Sequence, residues 1–102
     1  KDIYKEVFDK GKSYHSPLFL MKYTLEKKNK KFSVVVPKKV YKNAVDRNKL
    51  RRFVYDILRE NIEILKPSLG IFVIKKEYIK SNQTELRKDV LHALHKTIGF
   101  NL

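Results

Sequence analysis

The chain has 102 residues, 42% of them hydrophobic, and it carries 24 Lys plus Arg against 11 Asp plus Glu for a formal charge of +13. That size and apolar content suit one modest core over residues 1–102 and exclude a disordered basic tail. The absence of cysteine excludes disulfides, thiolate metal sites and Cys nucleophiles. No apolar run approaches the ~20 residues that cross a bilayer, and no signal peptide is visible; the lack of cysteine is compatible with a reducing cytoplasm, and a cytoplasmic protein with no membrane partner is expected.

Residues 2–10 read as a short helix. Ile3 and Val7 are four apart, as are Tyr4 and Phe8, so the four share a face. Gly11 suits the position just past its end. Tyr4 and Phe8 have two readings, as core residues or as stacking platforms for unpaired bases. Residues 18–25 read as a strand with Phe19, Met21, Tyr23 and Leu25 on one face and Leu18, Leu20, Lys22 and Thr24 on the other. Both faces are largely apolar, so cover is expected on each. Residues 27–31 are polar and read as a solvated hairpin tip leading to an antiparallel strand at 32–36, ended by Pro37.

A basic segment follows. Asn43 is a good N-cap, and Asp46 falls three residues later, where a carboxylate favours the positive helix end. The helix is expected to run to about residue 62 or 65. At ~100° per residue, Leu50, Phe53, Val54, Ile57, Leu58 and Asn61 gather on one side, and Asn48, Arg52, Tyr55 and Arg59 form a stripe on the other. Pro67, Ser68 and Gly70 mark a turn, residues 71–74 read as a short buried strand, and a last helix spans about 82–98 with Asn82 and Glu85 as a capping box and Gly99 closing it. Strand, helix and strand in succession predict a crossover that makes the last strand parallel to the one at 32–36. The predicted order is α-β-β-α-β-α, an α/β (α+β) sandwich with a central mixed sheet flanked by helices.

Positive charge at this density repels itself unless a polyanion neutralises it. Nucleic acid is the leading partner, ahead of an anionic membrane surface or an acidic protein. Lys38, Lys39, Lys42, Arg47, Lys49, Arg51 and Arg52 all fall between positions 38 and 52, at a strand-to-helix junction. Arginine forks match phosphate geometry, lysines add point charges, and the amides of a helix start favour anions. Enzymatic constellations are weak by comparison. His92 and His95 are three apart but lack a third ligand, His15 stands alone, no carboxylate pair is placed for acid–base work, and the three glycines form no phosphate loop. No catalytic residue and no metal site made by side chains alone is expected.

The stretch Lys38-Lys39-Val40-Tyr41-Lys42-Asn43-Ala44-Val45-Asp46-Arg47-Asn48-Lys49-Leu50-Arg51-Arg52 resembles the protein subunit of bacterial ribonuclease P, with its paired lysines, Asn-Ala-Val, Arg-Asn and further basic residues on one helix. The order of elements and the spacing of Tyr4, Phe8, Gly11 and Tyr23 fit as well. The resemblance implies a left-handed crossover through the basic helix, against the usual hand. It implies a ribonucleoprotein nuclease in which the RNA subunit, with hydrated Mg2+, removes the 5′ leader of precursor tRNA, while the protein binds that RNA, one to one, and holds the leader. By position it implies that Arg47, Asn48, Arg51 and Arg52 face the catalytic RNA, that Lys38, Lys39, Asn43, Lys49 and Arg59 support that surface, and that Tyr4, Phe8 and Tyr23 line a leader cleft between the first helix and the sheet. Pro37, Lys42 and Tyr55 depart from the family pattern, in which a serine, a glycine and a basic residue are common at those positions. The alternatives are another RNA-binding module, such as a ribosomal protein of related fold, a stand-alone nuclease using His92 or His95, and a basic surface for membranes or acidic proteins.

Overall fold

The computed structural model describes residue 7, residues 9–76 and residues 83–99. Its organising element is the most apolar segment of the chain. Strand β4 (Ser68–Ile74) is buried at five of its seven positions, and it lies inside a sheet of order β1-β2-β4-β3. β2 (Phe19–Leu25) pairs with it antiparallel and β3 (Lys30–Val35) pairs with it parallel. The mixed sheet and the parallel β3–β4 relation match the sequence expectation. The hairpin does not. β2 and β3 run in opposite directions but are not neighbours, because β4 enters between them. A strand apolar on both faces gains most from two ladder partners and cover on both sides. The loop between β2 and β3 grips its start: Glu26 N–H donates to Pro67 O at 2.9 Å and Ser68 N–H donates to Asn29 O at 2.8 Å.

β1 (Lys12–His15) forms the far edge, antiparallel to β2. It is an addition to the expected order. Lys-Ser-Tyr-His has neither an apolar run nor clear alternation, and pairing with β2, rather than its own propensity, makes it a strand. Val7, Asp9 and Lys10 are helical, in line with the expected first helix, and Gly11 N–H donates to Val7 O at 2.8 Å. Tyr4 and Phe8 lie outside the described residues, as does Asn82.

Two helices cover one face of the sheet. Helix α1 (Ala44–Asn61) buries Leu50, Val54, Ile57 and Leu58, and α2 (Gln83–Thr97) buries Leu86, Val90, Ala93 and Leu94. Beneath them lie Phe19, Met21, Val34, Phe72 and Ile74, with the Phe19 and Phe72 rings 5.6 Å apart. Asn43 caps α1, its Oδ1 accepting from Val45 N–H at 2.8 Å. The far end is held by a residue expected only in a solvated turn: Lys30 Nζ donates to Ile62 O at 2.6 Å, a cation on the negative end of the helix. Gly99, at φ 57°, closes α2 with its N–H on Leu94 O at 2.8 Å.

Tyr55 shows how α1 is fixed to the sheet. β3 is an edge strand, and its outward Val34 N–H donates to the Tyr55 hydroxyl at 3.1 Å. The ring packs against the core. Tyr55 therefore binds the helix to the sheet edge and does not stand out on a solvated stripe. Tyr55→Phe keeps the ring and orphans a part-buried donor. It is expected to lower unfolding free energy by about 1 kcal/mol, read as a lower denaturant midpoint at unchanged slope. An unchanged midpoint would show that water replaces the hydroxyl at no cost.

Candidate nucleic-acid interface

The basic surface begins where β3 ends. After Val36 the chain turns sharply, with both Val40 N–H and Tyr41 N–H donating to Pro37 O, at 3.0 and 3.1 Å. Lys38, Lys39 and Lys42 project from this turn and are exposed, whereas Val40 and Tyr41 pack inward against the core. Asn43 then starts α1. Arg47, one turn in, donates from Nη1 to Tyr41 O at 2.8 Å and to Lys42 O at 2.9 Å. The Pro37 and Lys42 departures thus sit within an ordered turn.

Further along α1, Asn48, Lys49, Arg52 and Arg59 are exposed and Arg51 is half-buried. Arg51 Nη2 donates to Asn48 Oδ1, which pre-sets both side chains on one side of the helix. Arg59 pairs with Asp56 at 3.1 Å, but side-chain exposures of 74% and 47% make that pair worth little in water. Tyr55 touches the outer edge of β3, so its stripe partners Asn48, Arg52 and Arg59 flank that edge. The opposite flank of α1 meets α2, where Arg87 bonds Glu60 at 2.9 Å and lies 5.6 Å from the centre of the Phe53 ring. Arg87 was not marked by the sequence, since its helix reads only as amphipathic.

Of the three residues expected to line an aromatic cleft, Tyr23 alone lies among the described residues. Cross-strand partners share a face, and the row Lys12–Tyr23–Gly70–Phe32 lies on the side that packs α1 and α2. A Cβ at Gly70 would meet the Phe32 ring at 2.8 Å, so glycine lets that ring lie over β4. Tyr23 is half-buried and packs against the same core. The other face carries Leu20, Val73 and Val35 in one row, with Lys22 and Lys31 in the rows beyond. A one-residue offset in a strand exchanges faces, and here it puts Tyr23 with the core and Lys22 on the opposite side. Tyr4 and Phe8 lie outside the described residues.

Asn48 Oδ1 already accepts from Arg51 among several cations, and among the described residues no three of His, Cys, Asp and Glu converge as ligands. His92 sits edge-on to Tyr14, ring centres 6.4 Å apart. Among the described residues no helix is long and apolar enough to cross a membrane.

A four-stranded mixed sheet with two helices over one face, and with a basic turn and helix start together at one edge, defines a small α+β protein that presents a dense cationic surface. Residues 1–98 match the family model for Ribonuclease P, and the chain belongs to that family. The ribonuclease P protein component of Lactobacillus delbrueckii subsp. bulgaricus is 36% identical over 95 residues, covering 90% of this chain and 78% of that protein. That of Bacillus velezensis is 30% identical over 97 residues, covering 92% and 82%. Solved RNase P proteins share the fold. The one from Thermotoga maritima has a TM-score of 0.75 at 24% identity over 92% of this chain and 90% of its own. The one from Staphylococcus aureus has a TM-score of 0.75 at 18% identity over 97% and 94%.

Proposed function

We propose that this protein is the protein subunit of a cytoplasmic ribonuclease P, binding the catalytic RNA one to one and the 5′ leader of precursor tRNA. The observation that carries the reading is the gathering of Lys38, Lys39, Lys42, Lys49, Arg51 and Arg52 at one turn and the helix start that follows it. Family membership supports ribonuclease P RNA as the partner of such a surface. Lysines on the turn and arginines on the helix neutralise closely spaced phosphates, and the Asn48–Arg51 pair presents donors without reorganising on contact. Exposed Val45, one turn before Lys49, adds an apolar contact for a ribose.

Hydrolysis of the leader phosphodiester is assigned to the RNA subunit, with magnesium held by RNA and substrate. When bound there, magnesium supplies charge neutralisation at the scissile phosphate. The protein's part is to hold RNA strands together that would otherwise repel, which lowers the divalent-ion concentration needed. The leader is assigned to the sheet face away from α1 and α2, because those helices fill the other face. There the row of Leu20, Val73 and Val35 beside Lys22 and Lys31 offers apolar and cationic contacts that tolerate varied sequence. Tyr4 and Phe8 are assigned to the same leader by family pattern. Tyr23, half-buried against the core on the helix-covered face, is assigned to packing instead.

Reconstitution with a bacterial ribonuclease P RNA is expected to stimulate precursor tRNA cleavage at low magnesium, and absence of stimulation with the cognate RNA would overturn the proposal. Arg51→Ala with Arg52→Ala is expected to weaken RNA affinity and to flatten its salt dependence by ~1 unit of log–log slope for each lost phosphate contact. An unchanged slope would mean that both side chains face solvent in the complex. Phe8→Ala is expected to weaken leader-bearing substrates by ~1–3 kcal/mol, the worth of one stacked base, while sparing leaderless tRNA. Tyr23→Ala is expected to lower the melting temperature without separating the two substrates. Equal effects of Phe8→Ala on both would make Phe8 a core residue.

A further inference from the structure

Arg47 belongs by pattern to the residues that meet RNA, yet one nitrogen of its guanidinium is already engaged with the backbone. Nη1 bonds the carbonyls of Tyr41 and Lys42, its own N–H donates to Asn43 O at 3.1 Å, and the residue is only half-exposed. One residue therefore receives three successive carbonyls at the entry to α1. The other end of the turn is closed on Pro37 O by the N–H groups of Val40 and Tyr41. Between these ties stand Lys38, Lys39 and Lys42, all exposed.

We infer that Arg47 is a positioning residue that presents Lys38, Lys39 and Lys42 to RNA phosphate, and that it is not itself a phosphate contact. This rests on the RNA-binding reading above and deepens it. Three physical points carry it. Both N–H groups of Nη1 are spent on these two carbonyls, so that nitrogen has no donor left for a phosphate, and the two bonds fix how the fork points. Carbonyl oxygens are the negative ends of the peptide dipole, and turning those of residues 41 and 42 inward onto a cation removes them from the side that a phosphate approaches. Charge-assisted bonds are about twice as strong as neutral ones, enough to hold a short turn whose lysines repel each other. The departures at Pro37 and Lys42 agree with this division of work. Pro37 supplies the carbonyl that closes the turn, and Lys42 supplies one carbonyl to Arg47 and one cation to the surface.

The test combines binding with a measurement on the free protein. Arg47→Ala is compared with the triple variant Lys38→Ala, Lys39→Ala, Lys42→Ala, with the two combined, and with Arg51→Ala/Arg52→Ala, all titrated with a bacterial ribonuclease P RNA across salt concentrations. Arg47→Gln, which keeps most of the stem without the charge, is measured beside it in case the alanine variant is poorly folded. Amide exchange at Val40 and Tyr41 is followed without RNA, with amides of β4 as the control for global folding. The expected result is that Arg47→Ala lowers the salt slope by roughly 2–3 units, as the lysine triple does, that combining them adds little, and that Val40 and Tyr41 exchange faster while β4 does not. A fall of ~1 unit that adds to the triple variant's, with unchanged exchange, would overturn the inference and make Arg47 a direct phosphate ligand. If the Arg51/Arg52 variant and the lysine triple also leave binding untouched, the RNA reading itself fails. Unchanged exchange at Val40 and Tyr41 would then show that Arg47 does not hold the turn either.

Discussion

The fold depends on β4 being paired on both edges and buried at five of its seven positions. Its Ser-Leu-Gly-Ile-Phe-Val-Ile sequence has no position suited to an exposed sheet margin. Satisfying both ladders separates β2 from β3, although the two are joined by a short loop, and it makes the route from β3 back to β4 a crossover. A parallel pair cannot be joined by a hairpin, so a helix of α1's length bridges it. Because β3 is then an outer strand, α1 lies over the sheet margin, with its solvent side beside the open edge of β3. The cationic surface is at that margin because the topology delivers the helix start there, directly after β3 ends.

A chain with a formal charge of +13 must place some cations where they stabilise the fold as well as where they await a partner. Two do so at the ends of α1. Lys30 reaches from the start of β3 to Ile62 O, where the helix is negative. Arg47 reaches back to Tyr41 O and Lys42 O, just ahead of the cap. Each takes carbonyl oxygens that lack a helical partner, and such groups are costly if left unmet away from water. Tyr55 does the corresponding service for a donor, Val34 N–H. Residues whose types suggest solvent or phosphate contact thus complete backbone hydrogen bonding around one helix.

Legibility in the sequence followed the range of the interaction. The Asn43 cap, the buried stripe Leu50, Val54, Ile57 and Leu58, and the closing Gly99 are local, and the spacing of residue types predicted each. The parallel relation of β3 and β4 followed from the intervening helix. Strand β1 did not, since Lys-Ser-Tyr-His becomes a strand only by pairing with β2. The expected hairpin failed because adjacency in sequence is a poor guide when a later segment is more apolar than either arm. Tyr23 was expected in a cleft by family resemblance; the pleat decides faces by parity, and parity sets it beside Gly70 and Phe32. Tyr55 was marked by helical periodicity and Arg47 by family pattern, but a long side chain can bend to a partner that only the tertiary fold supplies.

The two proposed contact regions differ in what the fold must do for them. An apolar sheet face binds flexible strands with little preorganisation, because rings and aliphatic groups accept many base orientations. A phosphate-binding turn is more demanding. Three lysines on a mobile segment would lose both backbone and side-chain freedom on meeting RNA, at about 1–2 kcal/mol for each backbone residue fixed. The turn at residues 37–43 has already lost that backbone freedom, through two bonds onto Pro37 O, the Asn43 cap and the two carbonyl bonds of Arg47. Only lysine side-chain freedom then remains to be lost. Ordering the turn in the free protein moves the cost from association to folding, where burial of Val40 and Tyr41 against the core helps to offset it.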